Sequence, residues 1–306
     1  MASVGIDVSK SKISCAYLGQ VREFANCDSG FQELKSWTRQ GTVWCMEATG
    51  RYHEKLAGFA CSEGYRCLVV NPGKAKKYLG FVSGRSKTDK VDALGLARLA
   101  EQEGHNLRAY TPVPEQVVKA RDILVRRRAL VDSKVALEQV ASEAGDVGGH
   151  LAGAILEIGS AMKKLEKELL TILKSYPSYS DLLTIPGIGP MSAAILICTL
   201  ERGEFETSDS IVAFAGLDPR ASDSGKKKGV RKLSHQGDAQ LRSILFMAAR
   251  AGARMPIWKP YYQAQRDKGL STTASTAILA RKLLRVAWKV YKQKSPFVDK
   301  QLDNQT

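Results

Sequence analysis

Asp89 and Asp92 stand three residues apart in RSKTDKVDAL, directly behind a basic run. On a helix that spacing puts both carboxylates on one face, where like charges repel. A lysine neighbour or a metal ion would relieve the repulsion. Two more acids lie in apolar, strand-like runs: Asp7 in GIDVSK and Glu47 in TVWCMEATG. Hard divalent cations take oxygen ligands, and Mg²⁺ is usually held by a few carboxylates plus phosphate oxygens. Two such ions can stabilise both the attacking and the leaving oxygen of a phosphodiester displacement. Each acid alone has an ordinary explanation: Asp7 a turn cap, Asp92 a surface pair with Lys90 or Arg98. The combination of D-x-S-K, E-x-T-G and D-x-x-D points to a metal site.

A second stretch with chemical potential is DPRASDSGKKKGVRKLS, residues 218–234. Ser222, Ser224 and Ser234 lie there among Arg220, Lys226, Lys227, Lys228, Arg231 and Lys232. A serine hydroxyl is a poor nucleophile unless a base or cationic surroundings assist it. Cations beside it would also stabilise charge on an attacked phosphate. Residue chemistry does not choose among the three serines. Upstream, IPGIGP (185–190) has the form of a helix-hairpin-helix turn. Gly187 and Gly189 would let backbone N–H groups approach a phosphate, although such a turn also serves merely to join two helices.

The elements that must position these groups follow from patterning. SVGIDVSKSKISCAYL gives two strands, QVREFANC a third, and SGFQELKSWTR a helix. TVWCMEAT is a strand, RYHEKLAGFACSEG a helix, and YRCLVVNP a strand stopped by Pro72. TDKVDALGLARLAEQEG is a helix capped by Thr88 and ended by Gly104. The order β-β-β-α-β-α-β-α predicts a mixed sheet with a meander, parallel crossovers and helices on its faces. The first strand is then central, the Glu47 strand lies beside it, and the last helix packs near their ends. Four carboxylates can meet there. Residues 1–112 form this domain. Residues 113–178 keep apolar residues at helical spacing and predict a long antiparallel hairpin or coiled-coil arm with a seam at Ile123, Leu130 and Leu137. Residues 179–306 are mainly helical and end in a long basic amphipathic helix. The chain is thus α/β plus α.

The 306 residues carry 46 Lys and Arg against 31 Asp and Glu, a net +15. The excess sits in three places. Residues 73–90, with Lys74, Lys76, Lys77, Arg85 and Lys87, carry six basic side chains and one acid; so do residues 220–232; residues 281–294 carry six and none. Concentrated positive charge is the footprint of a polyanion partner, most simply nucleic acid. The six cysteines form no C-x-x-C pair, and Cys15, Cys45, Cys67 and Cys198 sit in apolar runs as core residues. The start lacks a signal-peptide pattern and no apolar run is of membrane-spanning length, so a protein of a reducing cytoplasm is expected.

Taken in order, these phrases resemble the RuvC-like branch of the RNase H fold, whose members hold Mg²⁺ with an Asp-Glu-Asp-Asp tetrad. They are more closely similar to the DEDD transposases of the insertion-sequence-110 family and their Piv-like invertase relatives. GIDVSK, EATGRYHEKLA, VVNPGKAKKYLGFVSGRSKTDKVDA, IPGIGPMSAAILI, FAGLDPRASDSGKKKG and LSHQGDAQLRSILFMAARA carry the likeness, at both globular ends of the chain. The family tetrad falls on Asp7, Glu47, Asp89 and Asp92, implying Mg²⁺ or Mn²⁺. The family's Ser-Gly nucleophile, which forms a phosphoserine link to DNA, falls on Ser224, with Ser222 the runner-up. LSHQGD departs from relatives that place a basic residue at His235 or Gln236. The resemblance further implies donor and target DNA, a non-coding bridge RNA that pairs with both, and a bacterial, nucleoid-associated enzyme. It also implies a homo-oligomer, dimer or tetramer, in which one subunit's tetrad completes another's serine site. Two other functions fit parts of the pattern. A Holliday-junction nuclease would use water in place of Ser224, and a non-enzymatic binding protein would keep only the scaffold.

Overall fold

The computed structural model describes residues 2–48, 50–82, 88–143, 149–203, 205–220, 232–234 and 237–299, with the backbone alone at 74, 79, 81, 82, 220 and 232. The chain divides into two compact units, Met1–Pro112 and Val113–Thr306.

In the first unit, β1 (Ser3–Val8), β2 (Lys12–Tyr17) and β3 (Gln20–Ala25) form a meander. Leu18 and Gly19, both at positive φ, make the tight turn between β2 and β3. There follow α1 (Asp28–Trp37), β4 (Val43–Glu47), α2 (Tyr52–Ser62), β5 (Cys67–Val70), α3 (Pro72–Val82) and α4 (Asp89–Glu103). The sheet order is β3-β2-β1-β4-β5, with β1 antiparallel to β2 and parallel to β4. The expected mixed sheet with a central first strand is therefore present. Helix α3 was not anticipated. Pro72 ends the apolar run, but proline is also well suited to the first position of a helix, where its missing N–H is not needed.

Residue alternation divides this unit into layers. Val4, Ile6 and Val8 share one core with Phe31, Leu34, Trp44, Met46 and Leu56. Val43 and Cys45 face Leu96, Leu99 and Ala100 of α4 in the other. Each fully buried large side chain stabilises the fold by about 1.5–3 kcal/mol. Cys15, Cys45, Cys67 and Cys198 are buried, as expected, and burial pushes the Cys45 and Cys198 thiols up to about 12.

The second unit holds α5 (Glu115–Glu143), α6 (Ala152–Leu173), α7 (Pro177–Leu183), α8 (Pro190–Leu200) and α9 (Ser208–Phe214). A two-stranded ribbon, β6 (Pro219–Arg220) and β7 (Lys232–Leu233), precedes α10 (Ala239–Gly252), α11 (Lys259–Asp267) and α12 (Thr272–Gln293). Helices α5 and α6 pack along each other, tied by an Arg127–Glu166 ion pair at 2.6 Å. Val117, Ala120, Ile123 and Leu124 of α5 share one core with Leu169 and Leu173 of α6 and with buried residues of α8, α10 and α12. Helix α8 is buried nearly all round because its sequence is apolar all round. Helix α11 and the ribbon were not anticipated. Among the described residues no helix is long and apolar enough to cross a membrane.

Candidate active site

The position of the four acids follows from how α4 lies on the sheet. Ser3, Gly5 and Asp7 point to one face of β1, since alternate residues share a face. The Ser3 hydroxyl has two acceptors of α4 within reach, the Ala97 carbonyl at 2.9 Å and Glu101 Oε1 at 3.2 Å. Gly5 lies so near the helix that a Cβ there would come within 2.0 Å of the Ala93 oxygen and 2.2 Å of the Ala97 nitrogen. Along β1, contacts thus step from residues 97–101 at Ser3 to residues 93–97 at Gly5. Helix α4 runs back over β1, and its first turn reaches the end of the strand that carries Asp7. Asp89 and Asp92 occupy that turn. Thr88 caps it, its hydroxyl accepting from the Val91 N–H at 3.3 Å.

Glu47 joins them through register. Gly5 pairs with Cys45 and Ile6 with Met46, so Asp7 and Glu47 are the next pair of neighbours at the carboxyl edge of two parallel strands. Neighbouring strands are about 4.8 Å apart. Cys45, two residues earlier on the same face as Glu47, packs against α4. All four acids therefore lie on the α4 side of the sheet, at one end. Asp7, Glu47 and Asp92 are half-buried and Asp89 is exposed.

A lysine relieves part of the repulsion. Lys12 Nζ stands 3.2 Å from Asp89 Oδ2 and 3.0 Å from Glu23 Oε1. These hydrogen bonds, to Glu23 first and then to Asp89, raise the Lys12 pKa, and the bond from Lys12 lowers that of Glu23. Glu23 also accepts from Ser14, which lies opposite Asp7 in the β1–β2 register. Lys12 is the residue that sequence inspection missed. Its signal was the second lysine of SKSK, which the β1–β2 turn returns to the same edge. The pairings suggested for Asp92 with Lys90 or Arg98 are not among the ion pairs of the described residues. The donor chemistry suits a hard divalent cation, and an ammonium already lies against one of the acids. The spacing is open: among the described residues no three acidic, histidine or cysteine side chains are grouped closely enough to hold an ion.

In the second unit, Ser222, Ser224, Lys226, Lys227, Lys228 and Arg231 lie outside the described residues, as do Arg85 and Lys87 in the first and His235 and Gln236. Arg220 and Lys232 are register partners in the ribbon that flanks 221–231. The third serine is described. Ser234 donates its hydroxyl to Asp218 Oδ1, and its N–H reaches the Asp218 carbonyl at 3.0 Å. Ser234 thus ties β7 back to the residue before β6. Gly237 packs beneath, where a Cβ would come within 2.1 Å of the Phe214 oxygen. Lys76 and Lys77 are exposed on α3; Lys74 belongs to the same helix.

Gly187 packs closely against a helix. At φ +94° it lies against α10, with the Ala248 oxygen 3.1 Å and the Gly252 Cα 3.3 Å from where a Cβ would be. The adjacent Pro186 carbonyl accepts from Trp258 Nε1 at 2.7 Å. The side of Gly187 where a Cβ would be is thus taken up by helix packing. Gly189, at the N-cap of α8, has open space around it.

An α/β unit with acids gathered at the carboxyl edge of its sheet, in a strongly cationic chain, has the architecture of a nuclease-like enzyme acting on DNA. Comparison with known proteins narrows this class. A family model described as transposase of the IS116/IS110/IS902 family matches residues 179–263, and a DEDD-type IS110 transposase model matches residues 4–142. The chain is similar to the pilin gene-inverting proteins of Moraxella bovis and Moraxella lacunata, each 28% identical over 96% of this chain and 97% of the relative. It is also similar to the transposase for insertion sequence element IS1328 of Yersinia enterocolitica, 32% identical over 44% of this chain and 42% of the relative. The chain belongs to the IS110 family of transposases.

Proposed function

We propose that this transposase cuts and rejoins DNA strands of an insertion sequence through a serine nucleophile, Ser224, assisted by divalent metal at Asp7, Glu47, Asp89 and Asp92. The observation that carries the proposal is the seating of α4 on β1 through Gly5, which gathers acids distant in sequence at one end of the sheet. Mg²⁺ or Mn²⁺ bound by these residues would supply Lewis-acid stabilisation of charge on the phosphate. An ion held there would take the place of Lys12 beside Asp89, and Lys12 would then pair with Glu23 alone or with a phosphate oxygen.

The serine explains how strands can be rejoined. Its Oγ bonds to phosphorus, the P–O bond to the leaving strand breaks, and that strand end takes up the proton as a hydroxyl. The phosphoserine conserves the ester until a new strand end displaces it. Ser234 is engaged with Asp218, which favours the other two serines, and the Ser-Gly resemblance favours Ser224 over Ser222. The cations at 220–232 suit the phosphate, and those at 74–87 suit the flanking backbone. A bridge RNA that pairs with donor and target DNA would supply sequence choice. The protomers assemble as a dimer or tetramer through α5 and α6, in the bacterial cytoplasm at the nucleoid.

Denaturing gels after incubation with DNA substrate and Mg²⁺ test this directly. Wild type and Ser222→Ala should show a protein–DNA adduct. Ser224→Ala should lose it while still binding nucleic acid, and Asp89→Asn and Glu47→Gln should lose it while remaining folded. Cleavage by Ser224→Ala without any adduct would instead make the chain a Holliday-junction-type nuclease that uses water.

A further inference from the structure

The net charge of the second unit comes from its last part. Residues 113–238 carry seventeen Lys and Arg and seventeen Asp and Glu, whereas residues 239–294 carry twelve basic residues and one acid, Asp267. That acid accepts a hydrogen bond from Gln263 at 2.8 Å. Helix α12 arranges part of the excess in a stripe. Leu279, Leu283, Ala287 and Val290 are buried on one side. Lys282, Arg285, Lys289 and Lys292 recur at intervals of three, four and three, which puts them on the opposite side.

The stripe is little neutralised. Arg285 pairs with the exposed Asp209 at 2.6 Å. Lys282 Nζ stands 5.7 Å from the centroid of the Tyr261 ring. Among the described residues Lys289 and Lys292 have no ion-pair partner. Like charges three or four residues apart cost an isolated helix about 0.2–0.5 kcal/mol per pair, so the stripe does not stabilise α12 by itself.

We propose that this face of α12 is a contact surface for the phosphate backbone of a nucleic-acid duplex, separate from residues 220–232. It rests on the proposed function only in that the chain handles nucleic acid. Lys282 to Lys292 spans about 15 Å along the helix. One strand of a duplex presents about four phosphates over that axial length, matching the four cations. A single-stranded partner fits worse, because such surfaces add open aromatic faces on which bases stack. The aromatic residues of α12 are taken up elsewhere. Trp288 donates its indole N–H to the Phe205 carbonyl at 3.0 Å, and both Trp288 and Tyr291 pack against the core. Tyr261 lies beneath Lys282. Lysines act as point charges on phosphates and do not read base edges, so the surface should hold a duplex in place without choosing its sequence.

Anisotropy titrations of the full chain over a range of salt test this with mixed-sequence DNA duplex, RNA duplex and single-stranded DNA of equal length. The variant is Lys282→Gln/Lys289→Gln/Lys292→Gln. The control, Lys163→Gln/Lys164→Gln/Lys174→Gln, removes equal charge from exposed positions of α6 and its C-cap. On DNA duplex the α12 variant should lower the slope of log affinity against log salt by about 2–3, and the control should not. A matching loss on RNA duplex would assign the surface to either duplex, and a loss on one alone would identify its source. An unchanged slope, an equal fall in the control, or a wild type that prefers single strands would overturn the inference. Wild type that binds no nucleic acid at all would overturn the proposed function as well. Adduct formation retained by the α12 variant at low salt would show that the strand-cutting chemistry stands apart from this surface.

Discussion

Gly5 decides whether the acids of the first unit can gather. No rotamer offers an escape for a methyl group there, because the atoms it would meet, at 2.0 Å and 2.2 Å, are backbone atoms of α4. Gly5→Ala should push α4 off the sheet and carry Asp89 and Asp92 away from Asp7 and Glu47. Overpacking of this kind costs about 1–3 kcal/mol. A lowered denaturation midpoint together with lost DNA cleavage is expected, although every acid remains. Full cleavage by Gly5→Ala would mean that the seating of α4 does not matter to the site. Although each acid alone has an ordinary explanation, that the four would gather was legible from their combination and from the order of the elements that carry them. Gly5 was not. A glycine within a strand says that some backbone approaches closely, but not which one. Lys12 was missed for a related reason: its partner Asp89 lies 3.2 Å away in space but in a different element, beyond two crossovers.

At the scale of elements, what sequence patterning missed was mostly short or proline-led. Helices α3 and α11 begin at Pro72 and beside Pro260, residues that also end elements, and β6 and β7 are two residues each. Long periodic segments such as α4 and α12 were plain, down to the Thr88 cap. Helix α5 shows where periodicity misleads. Ile123, Leu130 and Leu137 recur every seven residues and read as a seam between protomers. Ile123 is instead 6% exposed and belongs to the core of its own unit. The large apolar side chains left exposed on α5 are Val125, Val135 and Val140, each more than half accessible. Ile123→Asp should therefore destabilise the fold by several kcal/mol, because it buries an unpaired charge. Val135→Asp with Val140→Asp should change unfolding by less than about 0.5 kcal/mol per site, as exposed substitutions do. If α5 and α6 hold protomers together, the double variant should sediment as a smaller species than wild type. The same mass for both, with wild type oligomeric, would move the interface elsewhere.

The whole molecule divides its proposed chemistry between two compact units, carboxylates in one and serine in the other. Neither group suffices: a carboxylate set without Ser224 leaves water as the nucleophile, and an unassisted serine hydroxyl is too weak to attack a phosphodiester. The family resemblance implies an oligomer in which the two groups come from different subunits. That arrangement has a consequence that single variants cannot reveal. Asp89→Asn protein retains an intact serine, and Ser224→Ala protein retains intact carboxylates. Each should be inactive alone. Mixed before oligomers form, they should produce sites that pair the sound acids of one chain with the sound serine of the other, and strand cleavage with a covalent adduct should return. The adduct should sit on the Asp89→Asn chain, which still has Ser224, and a size tag on one variant would identify it by gel mobility. Recovery of activity with the adduct on that chain is the expected outcome. Mixtures as inactive as their components, under conditions where tagged and untagged wild type exchange subunits, would mean that each chain completes its own site.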